Sequence, residues 1–203
     1  PIEAAPPDEA LGTAPFRSGD VYVSMGLDWD HKDLDYLYRL KKQLGFKALL
    51  FCYDLIPVLL PHLCVGNVAP LFGHYFSGVA WCADKVLCIS ESSRRDLQRF
   101  CDTVGAPHCD TAIVHLGSDL RTNGSAIGDE VASIVDTQYI LYVSTIERRK
   151  NHEVLYRAYT RLAAEGIVLP TLIFVGMQGW GVGDMMADFE LDPRVKAKIR
   201  VLN

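Results

Sequence analysis

The sequence predicts an α/β protein with mostly parallel sheets, and two observations lead to that fold class. Short apolar runs that suit strands alternate along the chain with segments of helical periodicity, which is the pattern of parallel strands joined by crossover helices. The alternation stops in a polar stretch past the middle of the 203-residue chain and then starts afresh. Because domain boundaries commonly fall in such stretches, we expect two units.

The first unit begins with a loop and contains four predicted strands. Residues 1–19 are rich in Pro, Ala and Gly, which is typical of irregular structure. Apolar and β-branched runs then predict strands at Val21–Met25, Lys47–Tyr53, Lys85–Ile89 and Ala112–Leu116. The second of these runs is continuously apolar, as expected for a strand that is covered on both faces.

Helices are expected between these strands because apolar side chains recur there at helical spacing. The first helix has a suitable N-cap in Asp30 and a suitable terminator in Gly45. Ser90 is predicted to cap a later polar helix over residues 91–100. Between them, one apolar stripe predicts another helix and consists of Val68, Leu71, Phe72, Tyr75, Phe76 and Val79.

The polar stretch at residues 121–138 is rich in Gly, Ser, Thr, Asn and Asp, which suits a linker between domains. A second unit follows at residues 139–203. Its expected elements are strands at Tyr139–Ser144, Thr171–Val175 and Ile199–Leu202 and helices at Glu153–Ala164 and Asp184–Glu190. Because a globular protein rarely stops on an incoming central strand, we expect the chain to be a fragment.

Composition and charge exclude several classes of protein. Hydrophobic residues make up 49% of the chain and charged residues 22%, which is typical of a folded domain. The net charge of −5 provides no basic field for nucleic acid. Six cysteines form no Cys-x-x-Cys pair and are expected to be free, which favours a reducing cytoplasm. The chain has no signal-peptide pattern, no membrane-spanning apolar run and no histidine pair at metal-ligand spacing.

The strongest local signal for chemistry is the segment Ser144-Thr145-Ile146-Glu147-Arg148-Arg149-Lys150-Asn151. It follows a predicted strand, and ligands of open α/β sheets bind beyond the carboxyl ends of strands. The next helix directs free N–H groups and the positive end of its dipole to the same place. Three cations there suit a multiply charged anion such as a diphosphate. A solvated charged turn is the alternative.

Three further segments follow predicted strands. Asp54 is expected either to hold a sugar hydroxyl or to cap a turn before Pro57. Ser90 has a similar position, with helix capping as its simpler role. Gly176 opens a Gly-rich loop that misses the dinucleotide-binding spacing and is expected to be a flexible loop. The chain has no Gly-x-Ser-x-Gly elbow, which argues against a serine hydrolase.

Taken together, these segments resemble the retaining glycosyltransferases of family 4, and among them bacterial mannosyltransferases that build polysaccharides. The strings that carry the resemblance are FCYDLIPVLLPHL, VLCISESSRRDL, HLGSDL, YILYVSTIERRKNHEVLYRAY and LIFVGMQGWG. The resemblance implies the GT-B fold, with two Rossmann-like domains that face across a cleft. Residues 1–120 would be the later part of the acceptor-side domain, and residues 139–203 the first part of the donor-binding domain.

The resemblance also implies an activity and roles for several residues. The parent would be a hexosyltransferase that moves mannose from GDP-mannose to a glycan or lipid-linked glycan acceptor, with retention of configuration. Arg149 and Lys150 match the basic pair that grips the donor diphosphate. Because members of this family typically work without a catalytic metal, no metal or other cofactor is expected. Asp54 is the catalytic candidate, since a tyrosine replaces the histidine that many members carry before it. Further candidate substrate contacts are Tyr53, Ser90, Glu147 and Gly176.

Two features of the family are absent from the chain. The family's motif of two glutamates separated by seven residues does not occur in this chain, and neither does the Gly-rich loop that the family has in its N-terminal domain. We therefore expect the 203-residue chain alone to be inactive. We expect a cytoplasmic protein without a nucleic-acid partner, and peripheral association with the cytoplasmic face of the inner membrane is the alternative location. Two alternatives stay open: a non-catalytic nucleotide-fold binding module, and a sugar-nucleotide 2-epimerase of the same architecture.

Overall fold

The computed structural model describes residues 15–26, 29, 32–119 and 138–202. The chain divides into two compact units, with the main boundary after Ser118. The predicted linker at residues 121–138 lies outside the described residues except for its last one. Each unit contains one parallel sheet and its own hydrophobic core.

Unit 1 is built on a four-stranded parallel sheet with the strand order β1-β2-β3-β4. Its strands are β1 (Val21–Ser24), β2 (Lys47–Cys52), β3 (Lys85–Cys88) and β4 (Asp110–Ile113). The last strand begins and ends earlier than the predicted Ala112–Leu116. The reason is its register, because β4 pairs with β3 from Asp110 to Ile113 and β3 itself ends at Cys88, whose carbonyl accepts a hydrogen bond from the Val114 amide at 2.9 Å.

The helices of unit 1 are α1 (Leu34–Leu44), α2 (Ile56–Leu59), α3 (Val68–Cys82) and α4 (Glu91–Val104). The first is capped by Asp33, whose carboxylate accepts a hydrogen bond from the Tyr36 amide at 2.8 Å. This corrects the predicted Asp30 cap, which lies outside the described residues. Gly45 ends α1 in the left-handed conformation (φ 75°), as predicted.

Two helices differ from their predicted extent or face. Helix α4 continues to Val104 because Cys101 is buried on the same face as Leu97. It then ends at a left-handed Gly105. In α3 the predicted stripe is wrong at Leu71, which is exposed, whereas the neighbouring Phe72 is buried. Helix α2 was not predicted, since it is a single short turn that contains a proline.

The core of unit 1 includes most of the cysteines. Four are buried, two are half-buried, and all six are free, as expected: Cys52, Cys64, Cys82, Cys88, Cys101 and Cys109. Cys52 and Cys88 face each other in register on β2 and β3. A hydrogen bond to Cys88 and burial raise the pKa of Cys52, so this thiol stays protonated.

Unit 2 contains a three-stranded parallel sheet with the order β5-β6-β7. Its elements are β5 (Tyr139–Val143), α5 (His152–Ala164), β6 (Thr171–Val175), α6 (Gly183–Leu191) and β7 (Ile199–Leu202). These bounds agree with the prediction to within one residue at each end. Strand β6 supplies the centre of the core, where Leu172 and Phe174 are fully buried. None of the helices within the described ranges has the length and apolar character needed to cross a bilayer.

Candidate functional site

Two loops at the carboxyl ends of β5 and β6 are joined to each other by backbone hydrogen bonds. We call them the paired loops; they comprise residues 144–151 and 176–182. The Ser144 amide donates to the Val175 carbonyl (3.0 Å), and the Ile146 amide to the Met177 carbonyl (2.9 Å). In return, the Gly179 amide donates to the Ile146 carbonyl at 2.8 Å. The two loops therefore form one continuous surface at the carboxyl edge of this sheet.

Gly176 permits the close approach of the paired loops. Its φ is 147°, and a Cβ atom there would lie 2.2 Å from the Ser144 carbonyl oxygen. No other residue type fits that space. The Gly176 amide donates to the Leu202 carbonyl at 2.9 Å. The start of this loop is thus held by backbone contacts.

The basic segment forms a 3-10 turn over Arg148–Lys150. Asn151 follows in the left-handed conformation with φ 55°, which Asn tolerates better than most residues. It changes the direction of the chain, so that α5 begins at His152 immediately after the turn. Helix α5 has no side-chain cap, which leaves N–H groups of its first turn available to an anion.

Glu147 and Arg149 form a salt bridge within the paired loops. Nη2 of Arg149 lies 2.8 Å from Oε1 of Glu147, with the two side chains 34% and 17% exposed. Among the described residues, neither Arg148 nor Lys150 has a salt-bridge partner. The Lys150 carbonyl instead accepts a hydrogen bond from the Tyr142 hydroxyl at 2.7 Å, which anchors the turn to β5. The pairing of Arg149 was not among the sequence-based expectations.

His152 lies beneath the basic turn and is completely buried. Its ring packs edge-on against Tyr142 and Phe174, with centroid distances of 4.8 and 4.9 Å. Its Nε2 is 3.3 Å from the Ser144 hydroxyl, while its Nδ1 forms no well-aligned hydrogen bond, although the backbone of Glu147 is near. Burial lowers the pKa of His152, so the ring is neutral at pH 7.

His152 was not among the residues predicted to belong to the site. One signal was available, because His152 precedes Leu155 and Tyr159 by three and seven residues, which places all three on one face of α5. Tyr159 is buried and Leu155 packs against the core. The face was therefore predictable, but the contact with Ser144 depends on the path of the loop.

In unit 1, the structure places Tyr53, Asp54 and Ser90 at the carboxyl ends of neighbouring strands. The Tyr53 hydroxyl donates to the Met25 carbonyl at 2.6 Å. Oδ1 of Asp54 accepts from the Ile56 amide at 3.0 Å, so the turn-capping role is present. Its second carboxylate oxygen has no partner among the described residues.

Ser90 caps α4, as predicted, by accepting a hydrogen bond from the Ser93 amide at 3.1 Å. The Ser93 hydroxyl in turn donates to the Tyr53 carbonyl at 2.7 Å. Ser93 thus ties the start of α4 to the end of β2. Nearby, the buried Nε atom of Arg94 has no partner in the described part of the chain, while its guanidinium pairs with Glu91.

The candidate residues thus form two groups, and each belongs to one unit. Unit 1 brings together Tyr53, Asp54 and Ser90. Unit 2 brings Glu147 and Arg149 into contact next to the uncapped start of α5. Across the described ranges, no group of three or more His, Cys, Asp or Glu side chains is arranged to hold a metal ion.

Comparison with curated proteins finds similarity to a mannosyltransferase. The chain is 25% identical over 166 residues to the serotype-specific mannosyltransferase WbdA of Escherichia coli, and the match covers 76% of this chain and 20% of WbdA. The chain thus spans about a fifth of the length of the curated relatives that it matches. No protein-family model matches it.

Comparison with solved structures finds the same architecture. Anabaena Alr3699/HepE in complex with UDP superposes with a TM-score of 0.58 and 14% identity, over 90% of this chain and 48% of that chain. A mutant of S. aureus TarM, in complex with fondaparinux, alpha-GlcNAc-glycerol and UDP, gives 0.51 and 9%, over 77% and 28%. The predicted α/β fold of the GT-B type and the resemblance to glycosyltransferases are confirmed.

Proposed function

We propose that the parent protein transfers a mannosyl group from GDP-mannose to a glycan acceptor with retention of configuration. One observation supports the proposal above all: a cationic turn directly precedes the uncapped N-terminus of α5, at the carboxyl edge of a parallel sheet. This arrangement suits a diphosphate. Similarity to a mannosyltransferase supplies the sugar, and the UDP complexes of the two similar structures support a nucleoside-diphosphate ligand.

The residues of unit 2 would stabilise the leaving group. The diphosphate would receive N–H groups from the start of α5 together with the cations of Arg149 and Lys150. Arg149 would exchange its bond to Glu147 for a bidentate bond to phosphate, which guanidinium geometry favours. As the bond between sugar and phosphate breaks, these charges would stabilise the negative charge that develops. The proposal therefore assigns to side chains the role that a metal has in other transferases.

The residues of unit 1 would serve the sugar and the acceptor. Oδ1 of Asp54 is used by the turn, and its second oxygen would accept a hydrogen bond from a sugar hydroxyl. Tyr53 and Ser90 would shape this surface, since their own polar groups hold Met25 and the start of α4. We propose a glycan or lipid-linked glycan as the acceptor. The latter would place the protein at the cytoplasmic face of the inner membrane.

Calorimetric titration of the parent protein with GDP-mannose, GDP and UDP-glucose tests the proposal. We expect guanosine nucleotides to bind, and Arg149→Ala/Lys150→Ala to weaken that binding about 100-fold through the loss of charge-assisted bonds. Arg157→Ala/Arg161→Ala is the matched control, since it removes the same charge from exposed positions on α5. If both double variants bind GDP with equal affinity, the basic turn is a solvated charged turn, and the alternative of a non-catalytic binding module is favoured. Tighter binding of UDP-glucose than of GDP-mannose would contradict the assignment of GDP-mannose as the donor.

A further inference from the structure

A groove runs between α1 and α3 on the helical layer of unit 1. Its volume is about 270 Å³, close to the lower end of the range for small-molecule sites, about 300–1,000 Å³. A second hollow of about 170 Å³ continues it past Trp29. The side chains that matter for its chemistry are Asp35, Tyr38, His74, Ser77, Gly78 and Trp81.

Gly78 forms the floor of the groove. A Cβ atom at this position would lie 3.0 Å from both Cβ and Cδ1 of Leu34, so a larger residue would push the two helices apart. The absence of a side chain lets α1 and α3 pack closely at Leu34, and the groove lies beside this contact.

Trp81 forms an aromatic wall of the groove. Its side chain is 59% exposed, and it is absent from the core cluster of unit 1. Tyr38 lines the groove as well, with Nζ of Lys42 lying 5.4 Å from the centre of its ring. Exposed aromatic faces are costly to leave in water, and they are typical of surfaces that bind a ligand.

Polar groups that have no partner among the described residues surround these rings. Among the described residues, none makes a hydrogen bond or salt bridge with the side chains of Asp35, His74 or Trp81. The Ser77 hydroxyl donates to the Gly73 carbonyl at 2.9 Å and keeps its lone pairs as acceptors. The groove thus offers a carboxylate, an imidazole, a hydroxyl and an indole N–H beside flat rings.

We propose that this groove binds a hexose unit of a glycan chain. A pyranose ring has an apolar C–H face that suits Trp81 and hydroxyls that suit Asp35 and His74. The apolar face of a protein helix would instead bury the Asp35 carboxylate without a partner, which is unfavourable. The inference goes beyond the proposed function, because none of Tyr53, Asp54 and Ser90 lines the groove. It would be an auxiliary site that retains a glycan on the acceptor-side unit.

Nuclear magnetic resonance can follow this site, because the chain has only three tryptophans. We would titrate the ¹⁵N-labelled chain with α-linked mannotetraose and record the indole N–H signals. The Trp81 signal is expected to shift saturably while that of Trp180 stays in place. Trp81→Ala should weaken binding about tenfold, as removal of an aromatic anchor does. Asp35→Asn should weaken it severalfold, and Trp180→Ala, at a 70% exposed position of unit 2, should leave it unchanged.

Three outcomes would overturn the inference: no saturable shift, equal loss in the Trp81 and Trp180 variants, or a Trp81 shift that depends on protein concentration without sugar. The third would identify a contact between copies of the chain. Titration with GDP separates this site from the proposed donor site. Trp81→Ala should bind GDP as the wild type does, and Arg149→Ala/Lys150→Ala should bind mannotetraose normally. Failure of either site would therefore leave the other standing.

Discussion

Glu147 and Arg149 are two positions apart, yet their side chains meet in a salt bridge of 2.8 Å. Both are partly shielded from water, so their attraction is stronger than that of a fully exposed pair. The carboxylate neutralises one of the cations that would hold a diphosphate. A ligand must therefore compete with Glu147 for Arg149 before it gains the full charge of the turn.

Removal of this competitor should strengthen nucleotide binding. We expect Glu147→Gln to raise the affinity for GDP by about two- to fivefold, the range of a partly exposed ion pair. Calorimetry at constant ionic strength measures it. Glu153→Gln is the control, since Glu153 pairs with Arg157 on the exposed side of α5. A lower affinity in Glu147→Gln would mean that Glu147 itself contacts the donor.

Gly176 is the residue whose replacement should disturb the paired loops most. Gly176→Ala places a Cβ atom 2.2 Å from the Ser144 carbonyl oxygen, so one of the loops must move. We expect the free energy of unfolding of unit 2 to fall by about 2–4 kcal/mol, measured by urea denaturation. Gly183→Ala has no close neighbour and should change it by less than about 0.5 kcal/mol. Equal stability of both variants would contradict the packing argument.

Residues whose role depends only on near neighbours in sequence were predictable. Ser90 was expected to cap a helix because it precedes one, and Gly45 to end one, and both do. The roles of His152 and of the Glu147–Arg149 pair were not predictable. They depend on the left-handed Asn151, which changes the direction of the chain before α5, and no pattern of residue types announces that change.

At the scale of elements, α5 joins the buried His152 to the basic turn. Burial lowers the pKa of His152 from its ordinary 6.5. Below about pH 6.5 the unfolded chain therefore binds a proton that the folded chain does not. The stability contributed by the neutral ring is complete above pH 6.5 and declines as the pH falls toward the lowered pKa.

This linkage predicts weaker protection of α5 at acid pH. Hydrogen exchange of the α5 amides, corrected for the intrinsic pH dependence of exchange, should indicate a lower opening free energy at pH 5.0 than at pH 7.5. His152→Phe keeps an aromatic ring against Tyr142 and Phe174 and should reduce that difference. His62→Ala, at an exposed position, should not. An unchanged pH slope in His152→Phe would exclude His152 as its source.

Element boundaries were predicted well where the hydrophobic pattern was clear in the sequence, as in β6 and α5. They were missed where tertiary pairing decided the limit. Strand β4 ends at Ile113 because β3 ends opposite it at Cys88, although the apolar run continues in sequence. Leu71 has the right chemistry for the buried stripe of α3 but the wrong angle on the helix.

At the scale of the whole molecule, β5 is the most exposed strand of either sheet. It lies at the edge of its sheet in the described chain, and Ile140, Leu141 and Val143 are 46%, 52% and 66% exposed. An apolar edge strand offers unpaired backbone groups and apolar side chains to another chain. The exposed edge of β5 therefore favours association between copies of the chain.

Self-association should follow from this edge. Sedimentation velocity of the 203-residue chain is expected to give a weight-average mass that rises with concentration. Val143→Lys should reduce the rise, because a charged edge strand opposes pairing. Val168→Lys is the matched control, since Val168 is 92% exposed but lies in a loop. A monomer at all concentrations would contradict the prediction.

The backbone bonds between the paired loops also bear on how this site can evolve. Main-chain hydrogen bonds are the same for nearly every residue type, so the spacing of the loops is inherited through Gly176 and the strand ends. Exposed positions such as Thr145, Arg148 and Gln178 can change without loss of that frame. A library randomised at these three positions would sample altered ligand preference while the backbone frame stays intact. Natural substitutions at the same positions could change ligand preference in the same way.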